Sequence, residues 1–201
     1  MPELQAARGA SLITSETSGD PTTGASPGDG PRTRRLTPSA LAFTVAAVAL
    51  AVDQVTKILA VRELTDRAPV EVMGSFLRLQ LLRNAGAAFS TGTSLTPLIS
   101  VIAVIAVVVV VVLAVRVGHR GWALGLGLLL AGVTGNLVDR MLRSPGPFRG
   151  HVVDFLALPH WPVFNVADIC IDVAGVIFVV LLIRGIRLDG SRHEEPTRDA
   201  P

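Results

Sequence analysis

Four long apolar runs set the terms for this chain. They cover residues 38–60, 97–117, 122–141 and 166–183, and the second contains unbroken valine from Val107 to Val112. Each is close to the roughly 20 residues that a helix needs to cross the hydrocarbon core. One such run reads equally well as a buried core helix. Four within 201 residues point to membrane spanning, and a mean hydropathy of +0.54 is too apolar for a soluble domain of this size. The fourth run is the shortest, and Asp168 and Asp172 narrow its apolar part.

Even-numbered spans return both termini to one side of the membrane. Arg32, Arg34 and Arg35 before the first run, Arg116 and Arg120 between the second and third, and Arg184 and Arg187 after the fourth favour a cytoplasmic side there. The opposite loops carry nearly as many cations (Lys57, Arg62, Arg67, Arg78, Arg83, Arg140, Arg143 and Arg149), so charge alone leaves the orientation open. The basic residues, 17 Arg and one Lys, are spread along the chain, and nucleic acid is not an expected partner. Cys170 is the sole cysteine, which excludes an intramolecular disulfide framework. Residues 1–37 are rich in Gly, Pro, Ser and Thr and read as a disordered tail without the apolar stretch expected of a cleaved signal peptide; residues 188–201 also read as a disordered tail. Trp122 and Trp161 fall near span ends, where indoles favour the headgroup zone. Between the first two runs, residues 70–81 partly alternate apolar with polar around Gly74, which predicts a small hairpin at the interface. The expected fold is an all-α membrane protein: four transmembrane helices, with a small extracytoplasmic sheet or hairpin between helices 1 and 2.

Polar residues gather where these runs end. Asp53 and Lys57 are four apart and share a helix face, as a structural ion pair or as substrate contacts. Asn84-Ala85-Gly86-Ala87-Ala88-Phe89-Ser90 allows close backbone approach at Gly86, with Asn84 able to donate and accept; a plain turn would use the same residues. In the third run Asn136 and Asp139 share a face. Asp139 is either an acid of the site or, with Arg140 beside it, a structural or substrate-orienting anion.

Residues 151–172 carry the sharpest signal. Asp154, expected on a short loop segment, lies among Val152, Val153 and Phe155 with no adjacent cation, a setting that favours its protonated form. Asp168 lies third in the helix that Asn165 caps, where the helix N-terminus favours negative charge. Contrasting carboxylates are how acid and base roles are divided, with Asp168 as anionic base and Asp154 as protonated acid. Two unrelated interfacial carboxylates are the alternative. His151 and His160 flank this stretch without a metal-ligand spacing, so neither metal nor cofactor is expected.

Five blocks in order, Asp-Gln-Val-Thr-Lys (53–57), Asn-Ala-Gly-Ala-Ala-Phe-Ser (84–90), Gly-Asn-Leu-Val-Asp-Arg (135–140), Val-Val-Asp-Phe (152–155) and Phe-Asn-Val-Ala-Asp (164–168), resemble the lipoprotein signal peptidases, or signal peptidase II family, over about residues 40–185. The resemblance implies an aspartic endopeptidase of the bacterial inner membrane. It would remove the signal peptide of a prolipoprotein just before a diacylglyceryl-modified cysteine. It implies Asp154 and Asp168 as the catalytic pair, and Asp53, Lys57, Asn84, Gly86, Asn136, Asp139, Arg140 and Asn165 as supporting or substrate-binding residues. It also implies cytoplasmic termini, an active site at the outer face, prolipoproteins and membrane lipids as partners, and a monomer. Two departures stand out. Only residues 155–167 separate the two aspartates, short for the family and stiffened by Pro159 and Pro162. Asp172, one turn below Asp168, would disfavour charge there and opens the acid/base assignment. Without the five blocks, a small transporter or proton-coupled channel and a non-catalytic membrane adaptor remain rivals. Polar residues at one end of the spans, with no broken-helix repeat, speak against transport.

Overall fold

The computed structural model describes residues 36–86 and 95–191; the expected tails at 1–35 and 192–201, and residues 87–90 of the Asn84 block, lie outside them. Four helices are long and apolar enough to span a membrane: α1 (Pro38–Leu64), α2 (Thr96–Arg116), α3 (Arg120–Leu142) and α4 (Val166–Ile183). Local chemistry sets their starts. The Thr37 hydroxyl accepts the Ala40 N–H and Pro38 takes the first turn of α1; Asn165 caps α4. At about 1.5 Å per residue, α1 is roughly 40 Å long and α4 roughly 27 Å.

The burial pattern inverts that of a soluble bundle. Val48, Val55, Ile58, Ile105, Val108 and Val176 stand exposed, while the helix contacts are lined by small residues, including Ala42, Ala46, Ala114, Ala123 and Ala174. Lipid is as apolar as leucine, so helices associate by close packing rather than by burying bulk. α3 is central and packs on α1, α2 and α4. Gly132 is required there, because a Cβ on it would run into the Ala167 carbonyl of α4.

The sheet departs from the expected hairpin. β1 (Val70–Met73) and β2 (Leu77–Asn84) pair antiparallel about a turn holding Gly74 at φ +56°, as the alternation predicts. A third strand, β3 (Val152–Ala157), comes from between α3 and α4 and completes the order β1-β2-β3. Asp154 therefore sits on a strand, not on the expected loop segment. Beyond β3 the chain doubles back: Phe164 exchanges backbone hydrogen bonds with Leu156 (N–H to O 3.0 and 2.8 Å). That return delivers Asn165, and with it the start of α4, beside Asp154. At the other end of the bundle Leu188 accepts hydrogen bonds from Gly118 and His119, so ordered chain continues past 187 to Ser191.

Candidate active site

The polar residues come to this end of the bundle from α1, β2, α3, β3 and the start of α4. On α1, Lys57 is fully buried and meets three acceptors: Asp53 Oδ2 at 3.0 Å, Asp139 Oδ2 at 3.0 Å and Asn136 Oδ1 at 2.9 Å. The one lysine of the chain is thus the hub between α1 and α3. Asp53 also accepts the Ala167 N–H of α4 at 2.9 Å and the Gln54 amide at 2.9 Å. It pins the first turn of α4 against α1. Gly135 leaves room for this carboxylate, since a Cβ there would collide with it. Asn136 donates from Nδ2 to Asp168 Oδ1 at 2.8 Å, so Lys57 touches the candidate dyad through one amide.

Asp154 and Asp168 meet around Asn165. The Asn165 side chain donates to Asp154 Oδ1 at 2.6 Å and accepts the Asp168 N–H at 3.1 Å; its own N–H donates to Asp168 Oδ2 at 3.1 Å, closing a reciprocal capping box. Asn84, on β2, donates to Asp154 Oδ2 at 2.9 Å, and its Oδ1 accepts the Gly86 N–H at 2.8 Å. Gly86 holds φ +100°, a conformation open to glycine. Asp154 is 2% exposed, whereas Asp168 is half-buried. Burial pushes the Asp154 carboxyl up to about 6, and the nearby Asp168 charge adds to this, against the opposing hydrogen bonds from Asn84 and Asn165 and the attraction of Lys57.

Arg140 is not the partner of Asp139. Lys57 and Arg143 hold that carboxylate, with the Val153 N–H at 3.2 Å on Oδ2. Adjacent helix residues diverge, while residues four apart align. Arg140 is buried, and among the described residues its Nη1 has no hydrogen-bond partner. Asp154 exerts the strongest attraction on it, and its Nη1 lies close to Gly86. Asp172 is exposed, His160 is exposed in a turn, and His151 lines a separate pocket. Sequence reasoning passed over Gln54 and Arg143, although Arg143 stands at the helical spacing from Asp139.

Fold and site together define a multi-pass membrane protein with two carboxylates wired by asparagines at one end of its bundle. The model of the Signal peptidase (SPase) II family matches residues 45–184. The chain is 46% identical over 195 residues to a lipoprotein signal peptidase of Mycolicibacterium smegmatis, covering 94% of this chain and 81% of that one. It is also 46% identical over 173 residues to that of Rhodococcus jostii, covering 86% and 85%. A bacterial membrane enzyme of known structure superposes with a TM-score of 0.63 at 26% identity, over 71% of this chain and 92% of that one. The chain belongs to the signal peptidase II family.

Proposed function

We propose that this chain is an aspartic endopeptidase that removes the signal peptide from diacylglyceryl-modified prolipoproteins, just before the lipidated cysteine. The observation that carries this reading is the contrast between its two carboxylates: Asp154 is buried and raised to about 6, while Asp168, half-buried, accepts the N-cap N–H of its helix. Asp168 acts as the anionic base and takes a proton from a water held between the pair. Asp154 donates its proton to the scissile carbonyl oxygen as that carbon becomes tetrahedral. No covalent intermediate is required, and no metal or cofactor is assigned. Arg140, whose Nη1 beside Gly86 has no partner among the described residues, holds the substrate backbone, and the remaining polar residues hold the dyad in place. The apolar hollow of about 260 Å³ between α1 and the sheet, walled by Leu59, Ala60, Leu64, Leu79 and Phe155, suits an acyl chain. In this reading the termini face the cytoplasm, the dyad faces outward, and the chain acts as a monomer.

The test is cleavage of a lipidated prolipoprotein by purified protein at matched folded amounts. Asp154→Asn and Asp168→Asn are each expected to lose about a thousandfold or more in turnover, in the range of a positioned acid or base together with its partner. Asp139→Asn retains measurable turnover. An active Asp154→Asn beside an inert Asp139→Asn would assign the dyad to the wrong pair.

A further inference from the structure

A second polar pocket of about 210 Å³ lies at the same end of the bundle, lined by Val61, Arg83, Arg143, Ser144, His151 and Val153. It is separate from the dyad. Val153 and Asp154 are consecutive on β3, so their side chains take opposite faces of the sheet, and Arg83 pairs with Val153 across the strands. The walls are fixed by backbone bonds: the Gly150 N–H donates to the Arg140 carbonyl at 3.0 Å and the His151 N–H to the Ser144 carbonyl at 3.1 Å. Arg143 uses Nε on Asp139, which leaves its two terminal amino groups unengaged among the described residues. No described carboxylate lines the pocket. Asp53 and Asp139 balance Lys57 and Arg143, so the guanidinium of Arg83 is the uncompensated charge.

We infer that this pocket binds the phosphodiester of an anionic phospholipid headgroup, between Arg83, the free edge of Arg143, and His151. Three features select that ligand. Arginine forks match phosphate oxygens. Arg143 is the first residue beyond the membrane-length α3, the depth at which headgroups lie. A phosphodiester carries one negative charge, equal to the single uncompensated cation, and the hollow is below the size of a drug-like ligand site. The assignment goes beyond the peptidase reading and uses none of its catalytic residues.

The experiment is native mass spectrometry of the full chain in detergent, titrated with phosphatidylglycerol, phosphatidylcholine or diacylglycerol of matched chains, and separately with inorganic phosphate. Phosphatidylglycerol is expected to bind at least tenfold tighter than either other lipid. Arg83→Gln and His151→Asn each weaken it about tenfold, as loss of one charge-assisted hydrogen bond requires, and Arg83→Lys recovers part. Arg83 is exposed and makes no side-chain bond to another described residue, so Arg83→Gln is expected to fold, which its melting temperature verifies. Equal binding of all three lipids, or wild-type affinity in folded Arg83→Gln, overturns the site. Binding of inorganic phosphate as tight as that of the lipid overturns the headgroup assignment.

Discussion

Lys57→Met removes the hub of the site with little change in volume. In the native protein the ammonium is fully buried against Asp53, Asp139 and the Asn136 carbonyl, all at 2.9–3.0 Å. Deleting one partner of a buried ion pair costs about 3–5 kcal/mol, because the other charge stays buried without compensation. Here each carboxylate keeps other donors: Ala167 N–H and Gln54 on Asp53, Arg143 and Val153 N–H on Asp139. The low end of the range therefore applies, about 3 kcal/mol. For a chain of this length that is a fall in melting temperature of roughly 6–12 °C. Reversible unfolding in mixed micelles measures it. Asp53→Asn combined with Lys57→Met is expected to recover part of the loss, since one of the stranded anions goes with it. A Lys57→Met protein within about 0.5 kcal/mol of wild type would refute the idea that the lysine neutralises this cluster.

Further outcomes follow from the same geometry. Asp154 titrates at about 6 in the folded chain against an ordinary 3.8, so the native state binds more protons than the unfolded state between those values. Its contribution to stability is greatest below about pH 4, falls as pH rises to about 6 by up to about 3 kcal/mol, and is flat above; unfolding measured from pH 4 to 7 is expected to show that slope in wild type and not in Asp154→Asn. Gly132→Ala drives a methyl into the Ala167 carbonyl and is expected to cost about 1–3 kcal/mol. Gly175→Ala, which meets open space, stays within about 0.5 kcal/mol or stabilises, and melting curves compare the two. Asn165→Ala loses the α4 cap, about 1 kcal/mol by chemical denaturation, and in the proposed mechanism lowers turnover further because Asp154 loses its 2.6 Å donor.

Much of this architecture was legible locally. Four apolar runs gave four helices, with ends shifted by four residues or fewer. Asn165 and Asp168 gave the capping box by spacing alone, Asp53 and Lys57 gave their pair, and Asn136 and Asp139 indeed meet the same lysine. What was not legible depends on distant parts of the chain. Residues 152–157 show no apolar–polar alternation to announce a strand, and their partner is β2, roughly 70 residues earlier. Asp154 therefore read as a loop residue. Asp139 was matched to its neighbour Arg140, although helix geometry points four residues on to Arg143. The convergence of α1 and α3 on Lys57 is a tertiary fact that no periodicity carries.

The three asparagines around the dyad have a further consequence. Each has its amide oxygen turned toward a group that can only donate: the Gly86 N–H for Asn84, the Lys57 ammonium for Asn136, the Asp168 N–H for Asn165. Each amide nitrogen is thereby committed to a carboxylate, and with the Asn165 N–H they furnish a donor to all four dyad oxygens. The wiring has a polarity: hydrogens point inward and none can be handed back, because an amide holds its hydrogens through the whole working pH range. In the proposed mechanism, a proton on the Asp154–Asp168 pair therefore has no exit through these three amides. In that reading it is insulated on the side of these amides and exchanges across the side they leave open. Replacing one of these asparagines by a titratable side chain of similar shape would open a leak in that insulation.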